Sequence, residues 1–151
     1  MRRVEKITAV FLLFLIGAWQ ASAQTVWTDP ELPTADQEVT VYFDATGTPL
    51  EVYGGELYAH TGVNIDEDNW QNVIGDWGDN DNQPQLESLG DDEYKLVITP
   101  DIYTFYDVSP SNNITELAFV FRSADATTQT GDLFVDVYQS GLTVTFIEPQ
   151  N

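Results

Sequence analysis

Hydrophobic and polar residues alternate along much of this chain with the two-residue period of a half-buried strand, in short runs separated by turn residues. Glu38-Val39-Thr40-Val41-Tyr42-Phe43 is the clearest case. Glu56-Leu57-Tyr58-Ala59-His60 follows, opened by Gly54-Gly55 and closed by Gly62, and Gln71-Asn72-Val73-Ile74 leads on to Trp77. Gln85-Leu86-Glu87-Ser88-Leu89 and Tyr94-Lys95-Leu96-Val97-Ile98 are joined by Gly90-Asp91-Asp92, which predicts a hairpin. Glu116-Leu117-Ala118-Phe119-Val120-Phe121 is apolar at nearly every position and suits a central strand. Leu133–Tyr138 and Leu142–Phe146, joined at Ser140-Gly141, complete about eight strands. The one stretch with helical leanings, Asp101–Val108, lies between Pro100 and Pro110 and is short. Many short strands at this spacing predict an all-β fold, an antiparallel two-sheet sandwich of the immunoglobulin-like or carbohydrate-binding kind. No internal repeat or second domain is evident.

The N-terminus changes the picture of where the chain works. A charged lead, Met1–Lys6, precedes the apolar run Ile7–Ala18 and then Ala21-Ser22-Ala23, the small-x-small pattern that signal peptidase accepts. The run is short for a bilayer span. Residues 1–23 are therefore expected to be a cleaved signal peptide, 24–37 an extended lead-in containing Trp27, and 38–148 a single sandwich module. The expected location is secreted, at the cell surface or in the periplasm. The chain has no cysteine, which excludes disulfides, cysteine-ligated metals and a lipidated N-terminal cysteine.

Charge narrows the partners. Removing the signal leaves two cations, Lys95 and Arg122, against 24 acidic residues, a net charge of −22. Such a surface repels nucleic acid and anionic lipid. With 42% hydrophobic and 13% aromatic residues the chain still has enough to build a core, so disorder is not expected.

Chemistry is sparse. His60 is the only histidine, so neither a nucleophile–base arrangement with a recognisable elbow nor a zinc site with several imidazoles can be assembled, and no enzyme activity is expected. The loops Asn64–Asn69 and Asp76–Asn82 are oxygen-rich and leave calcium open as a ligand, although neither fits the twelve-residue calcium loop. Solvated turns capped by their own Asp and Asn side chains are the plainer reading of both loops. The aromatic residues are more informative. Tyr58, His60, Trp70 and Trp77 fall within 20 residues, with Gln71, Asn72, Asp76 and Asn80 interleaved. Sugars present flat C–H faces that pack on indole and phenol rings, and their hydroxyls need a few fixed polar groups at the ring edge. Tyr58, His60, Trp70, Gln71 and Trp77 are the candidate ligand-binding residues; core or hinge packing is the alternative for each aromatic.

Several segments carry a resemblance. Thr28–Gln37, Gly55-Glu56-Leu57-Tyr58-Ala59-His60-Thr61-Gly62-Val63, Leu96–Pro100, Leu117–Asp125 with its Phe-Arg-Ser-Ala-Asp, and Leu133–Tyr138 resemble the N-terminal sandwich module of secreted α-amylase-family proteins of saccharolytic Gram-negative bacteria. The resemblance spans the chain beyond the signal. It implies a noncatalytic module, similar in plan to starch-binding modules, that takes an α-glucan or related polysaccharide beside a glycan-degrading enzyme. By similar placement it makes Trp70 and Trp77 the aromatic pair, with Tyr58 and His60 at the edge. A structural spacer with no sugar site and a calcium-dependent adhesion domain are the rival roles. His60 is expected at a strand end, either donating to a sugar hydroxyl or holding the Gly62 turn.

Overall fold

The computed structural model describes residues 25–141, and in it the alternating segments become two four-stranded antiparallel sheets packed face to face and not closed into a barrel. In chain order the strands are β1 (Val26–Asp29), β2 (Val39–Asp44), β3 (Leu57–Ile65), β4 (Asp68–Gln71), β5 (Glu87–Gly90), β6 (Glu93–Ile98), β7 (Ile114–Ser123) and β8 (Leu133–Asp136), with one helical turn, α1 (Ile102–Phe105), between β6 and β7. One sheet runs β1-β2-β6-β5 and the other β4-β3-β7-β8. The expected β-sandwich is the observed fold.

The first sheet follows its alternation. In β2, Val39, Val41 and Phe43 point inward, while Thr40, Tyr42 and Asp44 are half-exposed. Its neighbour β6 contributes Tyr94, Leu96 and Ile98 from the same face. Across the sandwich they meet Leu57, Ala59 and Val63 of β3 and Leu117, Phe119 and Phe121 of β7. The rings of Phe43 and Phe121, 4.3 Å apart, tie the sheets together at the centre. Asp91 and Asp92 both adopt left-handed backbone between β5 and β6, the conformation a two-residue hairpin turn requires, so the predicted hairpin is present.

Three expectations change. Val26–Asp29, in the extended lead-in, is also a paired strand along β2, with Trp27 stacked on Tyr42 at 5.6 Å. The strand expected to close at Gly62 runs on to Ile65, so Gly62 is not a turn and His60 is not at a strand end. A glycine inside a strand marks a close backbone approach, and here a Cβ on Gly62 would lie 2.7 Å from the Gln71 carbonyl oxygen. The strand expected at 71–74 instead occupies Asp68–Gln71, ending where Trp70 and Asn72 turn left-handed. The expected strand Leu142–Phe146 and the signal segment lie outside the described residues.

β3 and β7, the central pair of the second sheet, are buried on both faces for much of their length. Inward residues fill the sandwich core. Outward residues Tyr58, Ala118, Val120 and Arg122 are buried as well, with the chain between β4 and β5 lying against Tyr58 and Arg122. That segment is pinned at each end to β3, by Ile74 N–H to the Thr61 carbonyl (3.0 Å) and by Ala59 N–H to the Pro84 carbonyl (2.8 Å). This covered outer face carries the candidate site.

Candidate functional site

Cross-strand register places the parts. His60 pairs with Val120, Tyr58 with Arg122, and Ala118 with both Gly62 and Phe134, so these residues share the outer face of the second sheet. Gly62 admits the Gln71–Val73 backbone close above the sheet, and Ala118 beside it carries only a methyl group. Trp70 reaches His60 from the β4 edge with ring centroids 5.5 Å apart, and Trp77 meets His60 edge-on at 5.2 Å. On the other side Trp70 contacts Phe134 at 6.3 Å. The result is a continuous row, Trp77–His60–Trp70–Phe134. Trp77 is 45% and Phe134 41% exposed, while His60 and Trp70 are half-buried. Phe134 also lines an adjoining groove of about 280 Å³ with Trp27, Leu32 and Tyr138.

Trp70 holds a left-handed backbone, φ +54°. For a bulky side chain this costs on the order of 1–3 kcal/mol and persists only where neighbours enforce it. Asn64 is the enforcing group: its Oδ1 accepts from the Trp70 N–H (2.9 Å), and its Nδ2 donates to Glu116 (2.6 Å). The next left-handed residue, Asn72, donates to the carbonyls of Tyr106 and Asp107, both at 3.0 Å.

Beneath the row lies Arg122, fully buried. Its guanidinium sits 5.1 Å from the centre of the Tyr58 ring and 6.0 Å from that of Trp77, within reach of both quadrupoles. Nε donates to Gln83 Oε1 (2.7 Å) and Nη1 to the Ser123 carbonyl (3.0 Å). Nη2 has no partner among the described residues. Gln83, also buried, bonds through its Nε2 to His60 Nδ1 at 2.7 Å. Burial and then the nearby Arg122 charge hold the His60 pKa below its ordinary value, against a weaker pull from Asp132. Burial likewise lowers the Arg122 pKa.

Of the five predicted residues, His60, Trp70 and Trp77 come together in the row. Tyr58 does not reach its edge; at 8% exposure it lies buried on the guanidinium. Gln71 is exposed and turns its amide to the Asn69 carbonyl (2.8 Å). Sequence reasoning missed Gln83, Arg122 and Phe134. Arg122 carried a signal, as one of two cations beyond Lys6; Phe134 carried one in the alternation of Leu133–Tyr138. Nothing in the sequence marked Gln83.

In the acidic loop, Asp79 uses one carboxylate oxygen to accept from the N–H groups of Asp81 (3.1 Å) and Asn82 (3.2 Å), and the other to accept from Asn82 Nδ2 (2.7 Å). Those bonds, the Asn82 side chain foremost, lower its pKa. Among the described residues no group of three or more His, Asp or Glu is gathered as a metal-ligand set. No helix there is long and apolar enough to cross a membrane. Compared with protein-family models and with curated proteins, the chain matches none.

Proposed function

We propose that this chain is an exported, noncatalytic carbohydrate-binding module that packs a neutral polysaccharide, in the first instance an α-glucan, on the row Trp77–His60–Trp70–Phe134. The observation that carries the reading is the row itself: three partly exposed aromatic rings, two of them meeting one imidazole, along the outer side of a sheet. Stacked rings supply flat apolar contact, and an imidazole edge supplies one oriented hydrogen-bonding group, the combination sugars need. The noncatalytic assignment is supported at His60 itself, whose hydrogen-bond partner among the described residues is the Gln83 amide and not a Ser or Thr hydroxyl it could activate. A neighbouring glycan-degrading enzyme is the proposed working partner.

One observation favours a second reading. Arg122, Val120 and Ala118 are buried beside the residues of the row, so the row also belongs to an outer packing layer, as it would in a spacer without a sugar site. Affinity electrophoresis of residues 24–151 in gels with and without soluble starch separates the two. Retardation of the wild type, lost in Trp70→Ala and Trp77→Ala proteins that still melt cooperatively, supports binding. Lowered melting temperatures in the variants, with no retardation of wild type by starch or by a panel of other neutral glycans, support the spacer.

A further inference from the structure

A guanidinium carries only donors. Arg122 Nε lies 2.7 Å from the Gln83 side chain, so the oxygen of that amide must face Arg122 and its NH2 must face His60. An NH2 group also only donates. The His60 Nδ1 atom, 2.7 Å from it, must therefore be an unprotonated acceptor, and the ring proton must sit on Nε2. Flipping the amide would set donor against donor at Arg122. Both Gln83 and Arg122 are buried, with the guanidinium further held by the Ser123 carbonyl, so the arrangement has no easy alternative.

We infer that Arg122 and Gln83 form a positioning pair that locks His60 as the neutral Nε2–H tautomer, so that the aromatic row meets its ligand with a fixed hydrogen-bond donor and selects an acceptor, a hydroxyl or ring oxygen of a sugar. The identity of the ligand rests on the carbohydrate-binding reading; the lock does not. Charged groups from the packed elements bear on the ring in opposite senses. Arg122 of β7 opposes its protonation and Asp132, just before β8, favours it, while Asp79 of the loop acts on Arg122. Protonation would place an N–H at Nδ1 against the Gln83 NH2 and unseat the ring.

Because His60 is the chain's only histidine, the imidazole ¹⁵N resonances of uniformly labelled protein report on it alone. Near neutral pH the wild type should show one species protonated at Nε2, with a titration midpoint below that of an unperturbed histidine. Gln83→Glu, which replaces the donor by a carboxylate acceptor, should move the midpoint upward and bring a proton to Nδ1. Gln83→Met, which only removes the donor, should move it up by less. Adding maltoheptaose should shift the Nε2 resonance and leave the Nδ1 resonance in place. A tautomer mixture in the wild type, an Nδ1–H ring, or a midpoint unmoved by Gln83→Glu would each overturn the lock. A locked ring in a protein that binds neither starch, maltoheptaose nor any of the panel of other neutral glycans would support the lock and sink the glycan reading. Starch binding with an unlocked ring would do the reverse.

Discussion

Replacing Gly62 by alanine tests how the site is held. The added Cβ would lie 2.7 Å from the Gln71 carbonyl oxygen and 3.0 Å from Val73 Cγ2. Ordinary carbon–oxygen contacts are about 3.3–3.6 Å, so something must retreat by at least roughly 0.5 Å. Gly62 is in the middle of β3, locked to β7, whereas Gln71 ends an edge strand. The edge should yield, and with it Trp70, one residue away. Overpacking of this kind costs about 1–3 kcal/mol. For a domain of this size each kcal/mol moves Tm by about 3–5 °C, giving a drop of about 3–15 °C. Gly131 is the control: a Cβ there meets nothing within 4 Å and its φ is not left-handed. Gly131→Ala should be neutral or stabilise by about 0.4–1 kcal/mol through the unfolded chain. Thermal melts followed by circular dichroism read both variants, and starch-gel mobility reads the displacement of Trp70. A Gly62→Ala protein that melts within a degree or so of wild type, with unchanged gel mobility, would refute the claim that Gly62 sets the approach of the Trp70 segment.

Other outcomes follow from the buried polar chain and the core. Arg122→Met should lower the urea unfolding free energy by about 1–3 kcal/mol, because it strands Gln83 Oε1 away from water; adding Gln83→Leu should cost less than the two single effects summed. Stability should depend on His60 protonation with a definite sign. Its folded pKa lies below the ordinary 6.5, so the unfolded chain binds more protons between the two values and stability falls as pH drops from 6.5 through the folded pKa. Urea midpoints from about pH 8 to about pH 5 should show this slope in the wild type and a flatter one in His60→Gln. Phe121→Ala, which removes a fully buried ring packed 4.3 Å from Phe43, should cost about 3–5 kcal/mol by the same urea assay.

Where one face of a strand is buried and the other solvated, the pattern along the chain was sufficient. Val39, Val41 and Phe43, with Leu96 and Ile98 opposite, gave β2 and β6 nearly to the residue. It failed where a second layer covers the sheet. Tyr58, His60 and Gly62 are outward residues of β3, but burial by the segment between β4 and β5 removes the contrast that would extend the strand past His60. Gly62 then looked like punctuation, although its role is to admit a neighbouring backbone. The shift of β4 had a similar origin: left-handed Trp70 and Asn72 are held by Asn64, across the β3–β4 turn, and by the carbonyls of Tyr106 and Asp107, more than 30 positions away. Local propensity has no access to such partners. The same limit hid Gln83, whose role exists only because Arg122, 39 positions away, points an N–H at it.

The two cations beyond Lys6 have opposite surroundings. Lys95 makes a surface ion pair with Glu87 at 3.3 Å, of a kind worth about 0–1 kcal/mol. Arg122 is buried with no carboxylate in contact among the described residues, although Asp79 is near enough to favour its charge and spends its oxygens on its own loop. Burying a cation is costly, and a well-packed hydrophobic residue in such a place is often the more stable choice. If the row were only a roof, aliphatic residues at both 122 and 83 would serve it better. What the guanidinium adds is orientation: it binds the Tyr58 and Trp77 faces by their quadrupoles and, through Gln83, fixes which nitrogen of His60 carries its proton. Those are the properties of a surface that must present rings and one donor in a set geometry, and they are why the glycan reading ranks ahead of the spacer. The Arg122→Met protein therefore carries two separable outcomes: a spacer would lose stability alone, whereas a binding site would also lose starch retardation in a protein that still melts cooperatively.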